Sequence, residues 1–101
     1  MKILTIWAVN ITCSETNINT QTCYVKKYHR ALTLMQKAHV DFVERLKTRA
    51  DVERSRVTDE PRGVGHPIEE WRVTYPIDAG IRDGEPAFIW KNAYFNIKQL
   101  F

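Results

Sequence analysis

The sequence lacks any long hydrophobic run. No apolar stretch approaches the roughly 20 residues that a membrane-spanning helix needs, so we expect no membrane segment. Near the start, Lys2 precedes a short apolar run without a small-residue cleavage site, and we expect a strand there rather than a signal peptide. Repeats and low-complexity segments are also missing. The composition, 44% hydrophobic and 27% charged, predicts a single folded cytoplasmic domain over residues 1–101.

Cysteine is scarce as well. The chain contains Cys13 and Cys23, without a CxxC or HxxxH pair, so a zinc site of ordinary spacing is not predicted. Two free thiols in a reducing compartment are the expected state, and a disulfide between them is the alternative. We expect neither a metal nor a cofactor.

A recognisable catalytic signature is also absent. The Gly- and Pro-containing loop predicted at residues 57–68 includes Asp59, Glu60 and His66, but their spacing matches no acid–base, metal or phosphate site. No nucleophilic or acidic residue has a sequence spacing from His39 that would place it on the same face of the helix. We expect His39 to be partly buried and hydrogen-bonded to a neighbouring strand, with a partner contact as the alternative. The chain is therefore predicted not to be an enzyme.

A strongly periodic segment dominates what the sequence does contain. Its apolar positions recur at steps of three and four residues, which is one face of an α-helix, and this stripe is expected to pack on the protein's own sheet. The stripe consists of Val25, Tyr28, Leu32, Met35, His39, Phe42 and Leu46. The helix is predicted to run from about residue 22, capped by Thr20 or Thr22, to at least residue 49, with 56 as its outer limit. Such a helix should project beyond the short strands beneath it.

Three segments rich in β-branched and aromatic residues are predicted to be strands. They are residues 3–12, 71–75 and 87–92, the last continuing to about residue 97, where a helix is the alternative. Loops are expected at 13–22 and 57–68, and a long connection with Ala79-Gly80 and Asp83-Gly84 turns at 76–86. The prediction is an α+β fold: a two-layer β-α-β-β domain in which one long helix packs on a small three-stranded sheet.

Tryptophan is plentiful for a chain of this size. Trp7, Trp71 and Trp90 are expected in the core, one in each strand, with an exposed contact role for one of them as the alternative. Because a single helix covers one face of a sheet, an aromatic surface on the other face would mark an interface.

Positive charge is unevenly distributed along the chain. Residues 24–56 carry nine Lys and Arg side chains against four acidic ones, whereas the whole chain has a net charge of +3. The outer face of the helix and the segment after it are therefore the predicted contact surface. The candidate partner-binding residues are Lys26, Lys27, Arg30, Lys37, Arg45, Lys47, Arg49, Arg54, Arg56, Arg62 and His66.

Three kinds of function follow from these features. The first is a small non-enzymatic binding or regulatory protein that acts by contact with a protein partner. Loose architectural analogy adds the possibility of a phage-type inhibitor of a host defence complex. The second is a nucleic-acid-binding regulator that uses the basic helix. The third is a small enzyme or nuclease-like toxin. Formation of a homodimer is left open.

Overall fold

The computed structural model describes residues 5–15, 20–63, 65 and 67–100. The elements are β1 (Trp7–Cys13), β2 (Thr20–Val25), α1 (Tyr28–Thr48), a 3-10 turn (Arg54–Arg56), β3 (Thr58–Pro61), β4 (Glu70–Arg82) and β5 (Glu85–Gln99). The strands form one antiparallel five-stranded sheet in the order β2-β1-β5-β4-β3. The predicted α+β class is close to this architecture. The predicted three-stranded sheet in a β-α-β-β arrangement is wrong.

The structure first differs from the prediction at residues 20–25, which were predicted to be the end of a loop and the start of the helix. They form β2, which pairs with β1 from Trp7↔Val25 to Thr12↔Thr20. Thr, Cys, Tyr and Val side chains suit a strand, and the hydrogen bonds to β1 favour it over a helix. α1 therefore begins at Tyr28, and neither predicted threonine caps it.

The predicted helical extension is also wrong. α1 ends at Thr48, and after a turn at residues 50–51 a short segment around Val52 runs along the edge of β4. Asp78 N–H donates to the Asp51 carbonyl at 2.7 Å, and Val52 pairs with Ile77. Val52 is only 6% exposed. Burial of this side chain and the bonds to β4 stabilise the extended backbone, although the local composition favours a helix.

The sheet, rather than the helix, projects beyond its neighbour. α1 has 21 residues and is about 31 Å long, whereas β5 has 15 residues and extends for about 50 Å. β1 pairs with β5 only as far as Ala93, and β3 pairs with β4 only over residues 71–74. The far part of the β4–β5 hairpin is thus two-stranded within the described residues. We call residues 78–91 the β-arm; it contributes to a long molecular axis of 67 Å.

The core lies between α1 and one face of the sheet. Its strand side comes from odd-numbered positions, including Val9, Val73, Tyr75 and Phe95, which are 3% exposed or less. Its helix side comes from Ala31, Leu32, Met35 and Leu46. The prediction that the helix stripe packs on the protein's own sheet is confirmed. So is the strand at the tail of the chain, since β5 continues to Gln99.

The other face of the sheet is polar in its central part. Thr22 Oγ1 donates to Asn10 Oδ1 at 3.2 Å, and Asn10 Nδ2 donates to Asn96 Oδ1 at 2.9 Å, which links three neighbouring strands. Thr74 Oγ1 similarly donates to Asn92 Oδ1 at 2.8 Å. This part of the sheet also carries the half-buried Tyr94, but its polar Asn and Thr side chains keep it from being a predominantly aromatic surface. Within the described residues, no helix has both the length and the apolar composition that crossing a membrane requires.

Candidate functional site

The β-arm is closed by a two-residue turn. Asp83 and Gly84 have φ angles of 51° and 78°, and the flanking Arg82 pairs with Glu85. Positive φ at both central positions defines a type I′ hairpin turn, for which Asp-Gly is a favoured pair. The predicted turn at this dipeptide is confirmed, but the long connection around it is wrong, because strands flank the turn on both sides.

Ala79-Gly80 forms a β-bulge and not a turn. Gly80 has a φ of 89°, and its N–H donates to Asp78 Oδ1 at 2.9 Å. The register shifts at this point, because Asp78 opposes Phe88 whereas Ile81 opposes Pro86. Two residues of β4 therefore face one residue of β5. As a result, the Ile81 side chain lies on the same face of the arm as Phe88.

One face of the β-arm consequently carries a row of apolar side chains. Ile81, Pro86, Phe88 and Trp90 share it by strand alternation, and we call them the apolar face of the arm. Ile81 is 76% exposed and Trp90 is 50% exposed. The Arg56 guanidinium, from the 3-10 turn, lies 5.0 Å from the centre of the Phe88 ring. A cation–π contact thus places a positive charge beside the row.

Exposure of large apolar side chains is concentrated on the arm. Among the described residues these side chains are Tyr24, Val40, Ile81, Ile89, Trp90 and Leu100, of which three belong to the arm. The expectation that every tryptophan lies in the core holds for Trp7 and Trp71, which pack against it. Trp90 instead has the exposed position that was the alternative. An exposed tryptophan beside other apolar groups is typical of a protein contact.

The charge pattern of the sequence does not point to the residues of the apolar face, although a local sequence signal does. Asp-Gly between two segments of strand-forming residues is a strong indication of a hairpin. Reading residues 76–86 in that way would have joined two predicted strands into one arm. It would not have shown which side chains remain exposed.

The predicted basic residues are distributed along the whole length of α1 and beyond it. Lys26, Lys27 and Arg30 are exposed at the start of the helix. The helix length of about 31 Å separates them from Arg54 and Arg56 at its far side. Lys37 and Arg45 line a shallow groove between α1 and the β1–β2 edge, and Arg62 lines another next to Gly63. His66 lies outside the described residues.

Within the described residues, the side chains of Lys47, Arg49 and Arg54 make hydrogen bonds or ion pairs inside the molecule. Lys47 Nζ pairs with Glu44 Oε1 at 3.1 Å, and Arg54 Nη1 donates to the Lys47 carbonyl at 2.8 Å. Arg49 donates to both carboxylate oxygens of Glu15, at 2.7 and 2.8 Å, and to Asp51. Arg49 is the most strongly held of them, because two carboxylates share its guanidinium.

Glu15 lies at the centre of a polar cluster. Besides its bonds to Arg49, it accepts the Tyr75 hydroxyl at 2.5 Å, and that hydroxyl lies 3.2 Å from Cys13 Sγ. The Arg49 guanidinium holds the pKa of the Glu15 carboxyl below its usual value, and burial raises the pKa of Tyr75. Because an ionised carboxylate only accepts, Tyr75 donates to Glu15, and the Cys13 thiol donates to the Tyr75 oxygen.

This cluster ties three elements of the fold together. It joins the end of β1, the exit of α1 and the middle of β4, and it borders a groove of about 370 Å³. Tyr75 donates its proton to Glu15, and burial raises the pKa of its hydroxyl, so this group is held in its protonated form. Both cysteines are free thiols, as expected; Cys23 is exposed, and Cys13 is half-buried.

His39 is buried and paired, as expected from its place in the stripe. Its Nε2 lies 2.7 Å from Asp59 Oδ1 on β3, and its ring stacks on Trp71 with centroids 4.3 Å apart. Sequence spacing could not show Asp59 as the partner, because 20 residues separate the two. The neighbouring Glu60 bonds to Arg72 on the opposite face of β3, so Asp59 and Glu60 do not form a carboxylate pair.

Potential metal ligands do not cluster in the part of the chain that the structure describes: no group of three or more His, Cys, Asp or Glu there could hold a metal ion. Comparisons with known proteins give no further assignment. No protein-family model, curated protein or solved structure gives a significant match to this chain.

Proposed function

We propose that this protein is a small non-enzymatic binding protein that regulates a protein partner by contact, and that the apolar face of the β-arm makes this contact. The observation that carries the proposal is the exposure of Ile81 and Trp90, at 76% and 50%, on one face of a projecting hairpin. Exposed apolar area is unfavourable in water, and an aromatic residue in such a patch commonly contributes much of the binding energy of an interface.

Backbone geometry gives further support. Without the Gly80 bulge, Ile81 would lie on the opposite face of β4, away from Phe88. The bulge interrupts the ladder of hydrogen bonds, and therefore has a structural cost that a partner contact would offset. Bulges of this kind often orient side chains for a function.

The shape of the arm indicates how the contact would act. A two-stranded projection is narrow enough to enter a cleft on another protein and to occlude it. The complementary surface would be apolar, with an acidic residue placed to meet Arg56, which borders Phe88. This mode of action requires no chemistry by the protein itself.

Affinity capture with variants would test this proposal. Wild-type protein and variants are immobilised and exposed to a lysate of the native host cell. Ile81→Ser and Trp90→Ser should each lose the protein that the wild type retains. Val40→Ser is the matched control, because Val40 is 54% exposed but lies on α1; it should retain the same protein. Equal capture by all four proteins would refute the role of the arm. Urea denaturation would confirm that the variants are folded.

A nucleic-acid contact is the second candidate, and a separate observation favours it. Tyr24 is 64% exposed and precedes the exposed Lys26 and Lys27 by two and three residues in the chain. An aromatic platform beside basic groups is suited to single-stranded nucleic acid. Fluorescence anisotropy with a labelled single-stranded RNA should then show binding that weakens with salt and is lost in Tyr24→Ser. Binding that is unchanged in Tyr24→Ser would contradict this candidate.

A further inference from the structure

Among the described residues, none occupies the outer edge of β5 along the β-arm. β1 covers this edge as far as Ala93, and Ser14 N–H then donates to the Asn92 carbonyl at 2.9 Å. Beyond Asn92, residues 85–91 have no strand beside them on this edge within the described residues. A free strand edge is a template for pairing with another strand.

The backbone groups that point out of this edge can be identified. Asn92 directs both its N–H and its carbonyl to Ser14, and Leu100 N–H donates to Ile6, so even-numbered residues of β5 face the β1 side. Alternation along the strand therefore points the backbone groups of Phe88 and Trp90 to the free edge. Pro86 contributes a carbonyl but no N–H, which limits the ladder at its outer end.

We propose that a second copy of this chain pairs with this edge in antiparallel orientation, with Phe88 opposite Phe88 of the second copy. The two Phe88 residues would exchange both backbone hydrogen bonds, and each Trp90 N–H would donate to Pro86 of the other copy. In this register Glu85 of each copy lies opposite Lys91 of the other. Opposite charges at facing positions of an antiparallel pair stabilise it, and neither residue has an ion-pair partner among the described residues.

The length of the free edge selects this register. The edge runs from Glu85, the first residue after the turn, to Lys91, the last residue before β1 closes the edge at Asn92. A register shifted toward the body would place the second copy's strand where Ser14 already lies. A register shifted toward the turn would leave Trp90 without its bond to Pro86. Centring on Phe88 therefore uses the full edge of both copies.

This inference deepens the proposed function and rests on the arm being a contact element. Pairing uses the edge of β5 and leaves the face of the arm exposed. The two apolar faces would then join into one surface, with Trp90 of each copy beside Pro86 of the other. The dimer would present that larger surface to the partner protein.

Sedimentation equilibrium over a roughly hundredfold concentration range tests the dimer. The wild type should show a monomer–dimer equilibrium. Lys91→Glu would place two carboxylates opposite each other at each end of the paired strands and should raise the dimer Kd about tenfold. Glu85→Lys would place two ammonium groups opposite each other and should have the same effect. The double variant, Glu85→Lys with Lys91→Glu, should restore the wild-type Kd to within about threefold.

Lys98→Glu is the matched control, because it makes the same change of charge on β5 where β1 already pairs, and its dimer Kd should stay at the wild-type value. A wild type that is monomeric throughout would overturn the proposal, and so would a double variant as weak as either single variant. A monomeric Lys91→Glu that still captures the partner would leave the proposed function intact. Conversely, loss of partner capture in Trp90→Ser with an unchanged dimer Kd would show that partner binding can be removed without affecting dimer formation.

Discussion

Replacing Glu15 by Gln should destabilise the protein by removing the charge at the centre of the polar cluster. The carboxylate accepts bonds from Arg49 at 2.7 and 2.8 Å and from Tyr75 at 2.5 Å. Charge-assisted bonds contribute about 1.5–3 kcal/mol each when water is excluded. Glu15 and Arg49 side chains remain 24% and 30% exposed, however, so solvent replaces part of what is lost. We therefore expect a loss of about 1.5 kcal/mol for the whole substitution at pH 7.

Urea denaturation followed by tryptophan fluorescence measures this change. With a slope near 1.5 kcal/mol per molar, the midpoint should fall by about 1 M. Protein concentration is held constant between samples, because association would otherwise alter the apparent stability. Glu44→Gln is the control: its ion pair with Lys47 joins side chains that are 64% and 60% exposed, so its loss should stay below about 0.5 kcal/mol.

The pH dependence gives the same prediction a second, independent readout. Arg49 lowers the pKa of Glu15 in the folded state below its ordinary value of 4.5. The stabilisation by the carboxylate is therefore fully present above pH 4.5 and is lost as the pH falls through the folded-state pKa. The difference between wild type and Glu15→Gln should be constant from pH 7 to about pH 5 and should vanish in stronger acid. A difference below about 0.5 kcal/mol at pH 7, or one that persists in acid, would refute the anchoring role.

Three further predictions concern the core, the arm and the thiols. His39→Ala removes the stack on Trp71 and the bond to Asp59, so urea denaturation should show a loss of stability of about 3 kcal/mol. Asp59→Asn can keep a hydrogen bond to His39 and should lose about 1 kcal/mol. Equal losses in the two variants would contradict this. Gly84→Ala should cost about 1 kcal/mol by the same assay because its φ is 78°, and no loss would show that the turn adjusts. The exposed Cys23 should react with a thiol reagent before Cys13 does, and Cys23→Ser should abolish the fast phase.

The sequence predicted well where structure depends on local pattern. The steps of three and four that place Met35 and His39 on one helical face are a property of a few successive turns, and the structure buries both. The aromatic and β-branched residues around Phe95 likewise predicted the strand at the tail. Asp83-Gly84 was recognised as a turn because its conformation depends on those two residues alone.

Predictions failed where a segment takes its structure from a distant partner. Residues 20–25 contain side chains that suit a strand, but they follow a polar segment, and pairing with β1 decides their conformation. Residues 58–61 contain Pro61 and read as a loop, yet they pair with β4. The predicted helix is too long because the composition of residues 49–56 is compatible with a helix. In the structure, the burial of Val52 stabilises a different backbone conformation. Local propensity differs by a few tenths of a kcal/mol per residue, and such contacts outweigh it.

For the candidate site, the sequence by itself determined the ingredients: a basic segment, an Asp-Gly hairpin turn and three tryptophans. Only the tertiary structure decided which of them are available to a partner. Trp71 and Trp90 both lie on strands, but Trp71 is on the face of the sheet that α1 covers, whereas Trp90 is on the opposite face, together with Asn92. Exposure depends on which face of the sheet the helix covers, and that is set by contacts between segments far apart in the chain.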